Sequence, residues 1–158
     1  MLTEKIYDKW MKETQRKKIQ EILKQVEVVQ PVLDIGCGPG FLEEFIEAVA
    51  TDIDEENLAK VKGKKILADG NNLPFEPESF STIFCIDTIH FIKEPKKLLK
   101  FLKKDGKLIV GQFCNQHNHK EKLLELKNKF SNIKIEKEFL IKTEKEWETV
   151  LVLSNNTF

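Results

Sequence analysis

The residues of this chain best suited to chemistry sit in Asp34-Ile35-Gly36-Cys37-Gly38-Pro39-Gly40, where the apolar pair Val32-Leu33 runs into an acid and three alternating glycines. Glycines tolerate positive backbone angles and carry no Cβ, so an extended ligand can lie directly against such a loop. Two further acids close apolar runs downstream: Asp52 follows Ala48-Val49-Ala50, and Asp69-Gly70 follows Ile66-Leu67-Ala68. At the carboxyl end of a parallel strand, a carboxylate can accept both hydroxyls of a ribose. Asp54 suits a different task, the N-cap of a helix opening Glu55-Glu56-Asn57. A fourth apolar run, Thr82-Ile83-Phe84-Cys85-Ile86, leaves through Asp87-Thr88-Ile89-His90. Histidine is the side chain suited to proton transfer near neutral pH, so His90 is the first choice for a catalytic base. Cys114, His117 and His119 give a C-x-x-H-x-H cluster, but three ligands without a second cluster argue against a metal, and none is expected.

Spacing separates two ligands that such a loop could hold. A dinucleotide fingerprint, G-x-G-x-x-G, counted from Gly36 requires glycine at position 41, which is Phe41, whereas Gly40 completes G-x-G-x-G. Strand, acid and G-x-G-x-G together resemble motif I of the class I S-adenosylmethionine (SAM) dependent methyltransferases, in particular the broad group with a Leu-Pro-Phe turn, here Leu73-Pro74-Phe75. The resemblance is specific over residues 30–113 and implies SAM as co-substrate, held by Asp34, Gly36, Gly38 and Gly40. It further implies Asp52 as the ribose acid with Ile53 against the adenine, Asp69 and Gly70 at the adenine amino group, and Cys85 and Ile86 bordering the cofactor. Asp52 lies 18 positions after Asp34, near the roughly 20-residue offset usual for a ribose acid. Two features depart from the family: Ser81 stands where relatives have Asp, and no Asn/Asp-Pro-Pro-aromatic motif follows the fourth strand.

The order of elements implies an α/β fold, a Rossmann-like doubly wound sheet, mostly parallel, with an antiparallel hairpin strand at the C-terminal end. Strands are expected near 32–35, 48–52, 65–68, 82–86 and 107–113, and helices near 41–47, 55–62 and 94–104. One or two helices should precede the sheet between Lys5 and Val28, where Tyr7, Trp10 and Met11 could lid the cofactor. Only seven residues separate Gly40 from Ala48, close to the shortest crossover parallel strands can use, about a dozen residues with its turn. The first helix should therefore be two turns, aiming free N–H groups at the methionine carboxylate. Lys93, Lys96, Lys97, Lys100, Lys103, Lys104 and Lys107, with Leu98, Leu99 and Leu102 between them, suggest an amphipathic helix. After Asn115 come a helix near 118–130 and two strands joined by a polar turn.

Composition bounds the rest. At 158 residues, 41% apolar and 33% charged, the chain reads as one globular domain, 1–158, with an N-terminal helical cap (1–30), a cofactor core (31–113) and a helix with a C-terminal hairpin (114–158). A zero formal charge, and 25 lysines against one arginine, Arg16, argue against a general phosphate-binding surface. No apolar run could span a membrane or serve as a signal core, so a cytoplasmic protein with reduced thiols is expected. The acceptor is expected to be a small molecule, with nucleic acid or protein not excluded and an oligomer open. The alternative is a non-catalytic SAM-binding subunit of a partner complex, or a methyltransferase acting on protein or RNA.

Overall fold

A seven-stranded sheet in the order β3-β2-β1-β4-β5-β7-β6 organises the chain, in a computed structural model that describes residues 2–157. Five strands are parallel: β1 (Val32–Ile35), β2 (Val49–Asp52), β3 (Lys65–Leu67), β4 (Phe80–Ile86) and β5 (Leu102–Cys114). The last two, β6 (Ile133–Lys142) and β7 (Trp147–Thr157), form an antiparallel hairpin whose β7 inserts beside β5. Helix α1 (Leu2–Gln25) packs on one face, α2 (Glu55–Ala59) follows β2, and α3 (His119–Lys129) packs on the other face. The expected doubly wound sheet with its terminal hairpin is thus present.

Period-two alternation sets what each face sees. Leu33, Ile35, Ile83, Cys85, Leu108, Val110, Leu151 and Leu153 point to the layer containing Leu126 of α3 and Phe130 just after it. Val32, Phe84, Ile109, Val150 and Val152 point the other way, to Ile19 and Ile22 of α1. Burying each of those isoleucines contributes about 1.5–3 kcal/mol, enough to fix α1 across the sheet. Asp34 and Glu148 fall on this second face, where apolar residues are the rule.

The segment before the sheet is a single helix, within the one or two expected, because nothing interrupts Leu2–Gln25. Other expectations need correction. The first crossover holds only a single 3-10 turn, Leu42–Glu44, since seven residues cannot both turn and make two α-helical turns. It therefore offers no helix N-terminus to a ligand. The lysine-rich stretch is not an amphipathic α-helix: Pro95–Phe101 is 3-10, and β5 begins at Leu102, so Lys103, Lys104 and Lys107 lie on a strand. Asp105, with φ of 65°, and Gly106 lie within β5, where its register with β4 shifts between Phe80 and Thr82. Asp54 does cap α2, accepting from the N–H groups of Glu56 and Asn57.

Candidate functional site

The carboxyl ends of β1, β2 and β4 meet at the glycine loop, the usual place for a ligand in an open parallel sheet. The N–H groups of Gly36 and Cys37 both donate to the Thr51 carbonyl at 2.9 Å, tying the loop to β2. Gly36 has φ of 70°, and a Cβ there would fall 2.2 Å from the Thr88 hydroxyl oxygen, so this glycine lets the loops after β1 and β4 touch. Gly38 is required for a different reason. Its φ is 57°, yet a Cβ would meet nothing within 4 Å, because the residue faces open space.

That space is a cleft of about 270 Å³ lined by Gln15, Ile19, Asp34, Gly36–Leu42 apart from Gly40, and Ile86–Thr88. A larger hollow, about 700 Å³, lies at the opposite ends of the strands among Gln30, Val32, Val49 and Lys64, away from the glycine loop. Strand direction favours the smaller cleft, since ligands gather beyond strand carboxyl ends.

Of the expected site residues, Asp34, Gly36, Gly38 and Ile86 line the cleft. Asp52 stands at its edge, half-buried, accepting from Gly38 N–H at 2.8 Å and Asp54 N–H at 2.9 Å. Each oxygen keeps a lone pair for a further donor. Gly40 packs on Val61 and Gly70 on Ile92 and Ile35, so both shape loops without lining the cleft. Ile53 is 73% exposed, and Asp69 is exposed with Oδ1 accepting from both the backbone and side-chain nitrogens of Asn71. Cys85 requires correction: strand alternation turns it into the α3-side core at 0% exposure, and burial pushes its thiol well up. His90 lies outside the cleft. It is exposed on the turn Ile89–Phe91, with its ring stacked against Phe91 at 4.0 Å, because Asp87, at φ of 55°, swings the chain so that Ile89 rather than His90 enters the core.

Two carboxyl groups, Asp34 in this cleft and Glu43 at the larger hollow, are poorly compensated. Asp34 is 4% exposed, and burial first, then the neighbouring Glu43 carboxyl, holds its carboxyl group well above the ordinary range. Glu43, from the 3-10 turn, is raised by burial, and both of its oxygens lack a hydrogen-bond donor. Across the cleft the opposite arrangement holds. Lys18 of α1, 0% exposed, reaches Asp87 at 2.8 Å, Glu146 at 3.1 Å and Glu148 at 3.2 Å. Burial opposes its charge, but Glu148, Asp87 and Glu146 outweigh that and hold the ammonium above its ordinary value. Burial first, then Asp87, pushes the Glu148 carboxyl well up.

Neither cluster was read from the sequence, although one signal was available. Thr14, Lys18 and Ile22 recur at helical spacing on the buried stripe of α1, and Glu148 alternates with Val150 and Val152 on the face α1 covers. Among the described residues no group of three metal-ligating side chains is gathered. His117 contacts Gln116 and His119 stacks on Trp147, while burial, ahead of Glu148, pushes the Cys114 thiol up to about 11. Trp10 is 50% exposed with Lys145 over its ring, and the Tyr7 side chain lies outside the described residues.

Residues 33–110 match the family model described as a methyltransferase domain. This segment is a methyltransferase domain of the SAM-dependent kind, consistent with class I. The co-substrate of that kind is SAM, and the chain's residues suit it: a cleft that a Cβ on Gly38 would enter, a buried acid without a cation, and Asp52 at the rim. Two uncharacterized proteins of Methanocaldococcus jannaschii are each 34% identical, over 116 residues (66% of this chain, 56% of the relative) and 87 residues (50% and 39%). The chain thus spans about half the length of the curated relatives it matches. Among solved structures, the chain complexed with the Trm112 methyltransferase activator of Haloferax volcanii aligns with a TM-score of 0.73 at 14% identity, covering 94% of both chains. A SAM-dependent methyltransferase of Thermotoga maritima aligns with a TM-score of 0.71 at 18% identity, covering 96% of both. At such identities these structures speak for the fold alone.

Proposed function

We propose that this chain transfers the methyl group of SAM to a small-molecule acceptor. The observation that carries the reading is the glycine loop itself: Gly38 presents open space, while Asp34 and Asp52 bring acids to the floor and rim of that space. SAM supplies a methyl group activated by a sulfonium sulfur. Asp34 at the floor suits the cationic end of such a ligand, the backbone of Gly36 and Gly38 suits its extended body, and Asp52 suits the ribose hydroxyls. Ile53 and Asp69, both exposed beyond Asp52, would meet the adenine. Asp87, Gln15 and Ile19 form the remaining wall and would border the acceptor.

Methyl transfer is an in-line displacement, so holding nucleophile and methyl in line supplies much of the catalysis. The rigidity needed comes from Lys18, which fixes α1 to β4 and β7. Since His90 is outside the cleft, no proton transfer is assigned to it. An acceptor must enter beside α1, and a wall this narrow suits a small molecule better than a duplex or a folded protein. A single domain and a cytoplasmic location belong to the same proposal.

A second reading has one supporting observation. The alignment with a Trm112-bound chain suggests a partner-dependent enzyme or a SAM-binding subunit, and the edge strand β3 leaves Ile66 and Leu67 38% and 52% exposed. Incubation with SAM and a metabolite mixture tests both. Formation of S-adenosylhomocysteine (SAH) with a methylated small molecule supports the first reading. SAM binding without turnover, followed by turnover only when a partner protein is added, supports the second.

A further inference from the structure

We infer that the methyl acceptor is an amine, recognised through its N–H groups by Asp87 and Gln15 on the wall that α1 and the loop after β4 give the cleft. This rests on the methyl-transfer reading above and names the acceptor class, which that reading leaves open. The polar groups along this wall are one-sided. Asp87 lines the cleft with 24% of its side chain exposed; its Oδ2 receives the Lys18 ammonium at 2.8 Å, and its Oδ1 has no donor among the described residues. Gln15 directs Nε2 to Glu146 at 3.1 Å, which leaves its carbonyl oxygen as the uncommitted acceptor. An amide turned the other way would set oxygen against carboxylate.

The remaining side-chain donors are spent inside the protein. Thr88 gives its hydroxyl hydrogen to main-chain carbonyls, with Ile86 at 3.2 Å and Gly36 at 3.4 Å, and the Cys37 thiol turns to the Gly38 carbonyl at 3.3 Å. Among the described residues that line the cleft there is no lysine, arginine or histidine. Lys18 stands behind the wall with three carboxyl groups around its one ammonium, so no positive charge is left over for an anionic acceptor. It acts as a positioning residue. Asp87 is held at φ of 55° by its N–H on the Gly111 carbonyl at 2.9 Å, and the clamp on Oδ2 places its carboxylate before an acceptor arrives.

Such a wall selects by what it lacks. A carboxylate or phosphate would meet acceptors only and would lose its hydration without replacement. An alcohol or thiol brings a single hydrogen, whereas an ammonium brings several and makes them charge-assisted. The transfer balances without a further reactant: the ammonium loses one proton to solvent, and its freed lone pair forms the N–C bond as the C–S bond breaks. The bonding pair stays on sulfur, giving SAH, and the product leaves as a methylammonium.

The test follows SAH formation from SAM by the native chain, with short straight-chain and phenyl-bearing skeletons each offered as amine, alcohol, thiol and carboxylate. The expected result is turnover of amines, with the matching alcohols, thiols and carboxylates at least roughly tenfold lower in kcat/KM. Asp87→Asn keeps the shape and removes the charge, so it should raise KM for the amine roughly tenfold while calorimetry shows unchanged SAH affinity. Gln15→Lys, at a half-buried helix position, sets an ammonium of the protein's own beside the same acceptors and should shift selectivity from amine toward carboxylate, which damage to the fold would not do. If Asp87→Asn does not fold, Gln15→Lys decides alone. Preference for alcohols, thiols or carboxylates, or amine selectivity unmoved by the substitutions, would overturn the inference and leave methyl transfer standing. SAM binding with no turnover in any series would overturn the methyl-transfer reading and the inference with it.

Discussion

The carboxyl groups around Lys18 and the pair Asp34 and Glu43 differ in one respect. Asp87, Glu146 and Glu148 surround a lysine supplied by the chain, whereas Asp34 and Glu43 have no cation. Both lie on the sheet face covered by α1, and both contain carboxyl groups whose burial holds them above the ordinary range. Charge brought into the interior with its counter-ion fastens elements together, here α1 to β4 and β7. Charge brought in without one costs stability until something else compensates it. The first cluster therefore works as structure, Asp87 apart, whereas in the second Asp34 faces the cleft that the proposed function gives to a ligand.

Substitutions in the two clusters should have opposite signs. The largest effect is expected from Lys18→Met, which strands three carboxyl groups under α1 and should cost about 3–5 kcal/mol in urea unfolding. Adding Glu148→Leu should recover part of that loss, because removing both partners is milder than removing one. A Lys18→Met variant as stable as the native chain would erase the distinction between the clusters. Asp34→Asn should instead leave the thermal midpoint unchanged or raised. It should weaken SAH by roughly tenfold to a hundredfold, the loss of a charge-assisted hydrogen bond of about 1.5–3 kcal/mol.

Both halves of this comparison depend on residues that were partly hidden in the sequence. The glycine loop, Asp52 and the strand order were legible, because G-x-G-x-G after an apolar run and acids at strand ends are local patterns. The helices were overread. Lys93–Lys107 has helical periodicity, yet Pro95 and the pairing of β5 with β4 and β7 impose 3-10 and extended backbone instead. Nothing in the sequence marked Glu43, which the short crossover puts on a 3-10 turn with its carboxyl oxygens buried. His90 was chosen for its chemistry, which cannot tell which residue of Asp87–Phe91 turns toward the cleft. Lys18 was hidden because lysine on a buried stripe is rare unless acids distant in sequence converge on it.

Smaller effects sharpen the comparison further. Because the folded state raises the proton affinity of Asp34 and Glu43, it binds more protons than the unfolded chain above the ordinary carboxyl range. Stability should then fall as pH rises from about 4, and Glu43→Gln should flatten that fall in thermal midpoints measured across pH. A slope unchanged by the substitution would remove the pair as its source. The smallest effect should come from Arg16→Ala, which breaks an exposed pair with Glu44 on the same 3-10 turn. Surface pairs contribute little, so its thermal midpoint should match that of the native chain.

The most direct test is calorimetry of SAH with Gly38→Val, read beside its thermal unfolding. A Cβ at Gly38 meets no protein atom within 4 Å, so beyond backbone strain only a ligand can oppose the added side chain. Strain at its φ of 57° should cost about 1–3 kcal/mol and lower the midpoint by several degrees while unfolding stays cooperative. The expected result is a folded variant with no measurable SAH binding, against clear binding by the native chain. A folded Gly38→Val that binds SAH as tightly as the native chain would show that the glycine loop is only a turn.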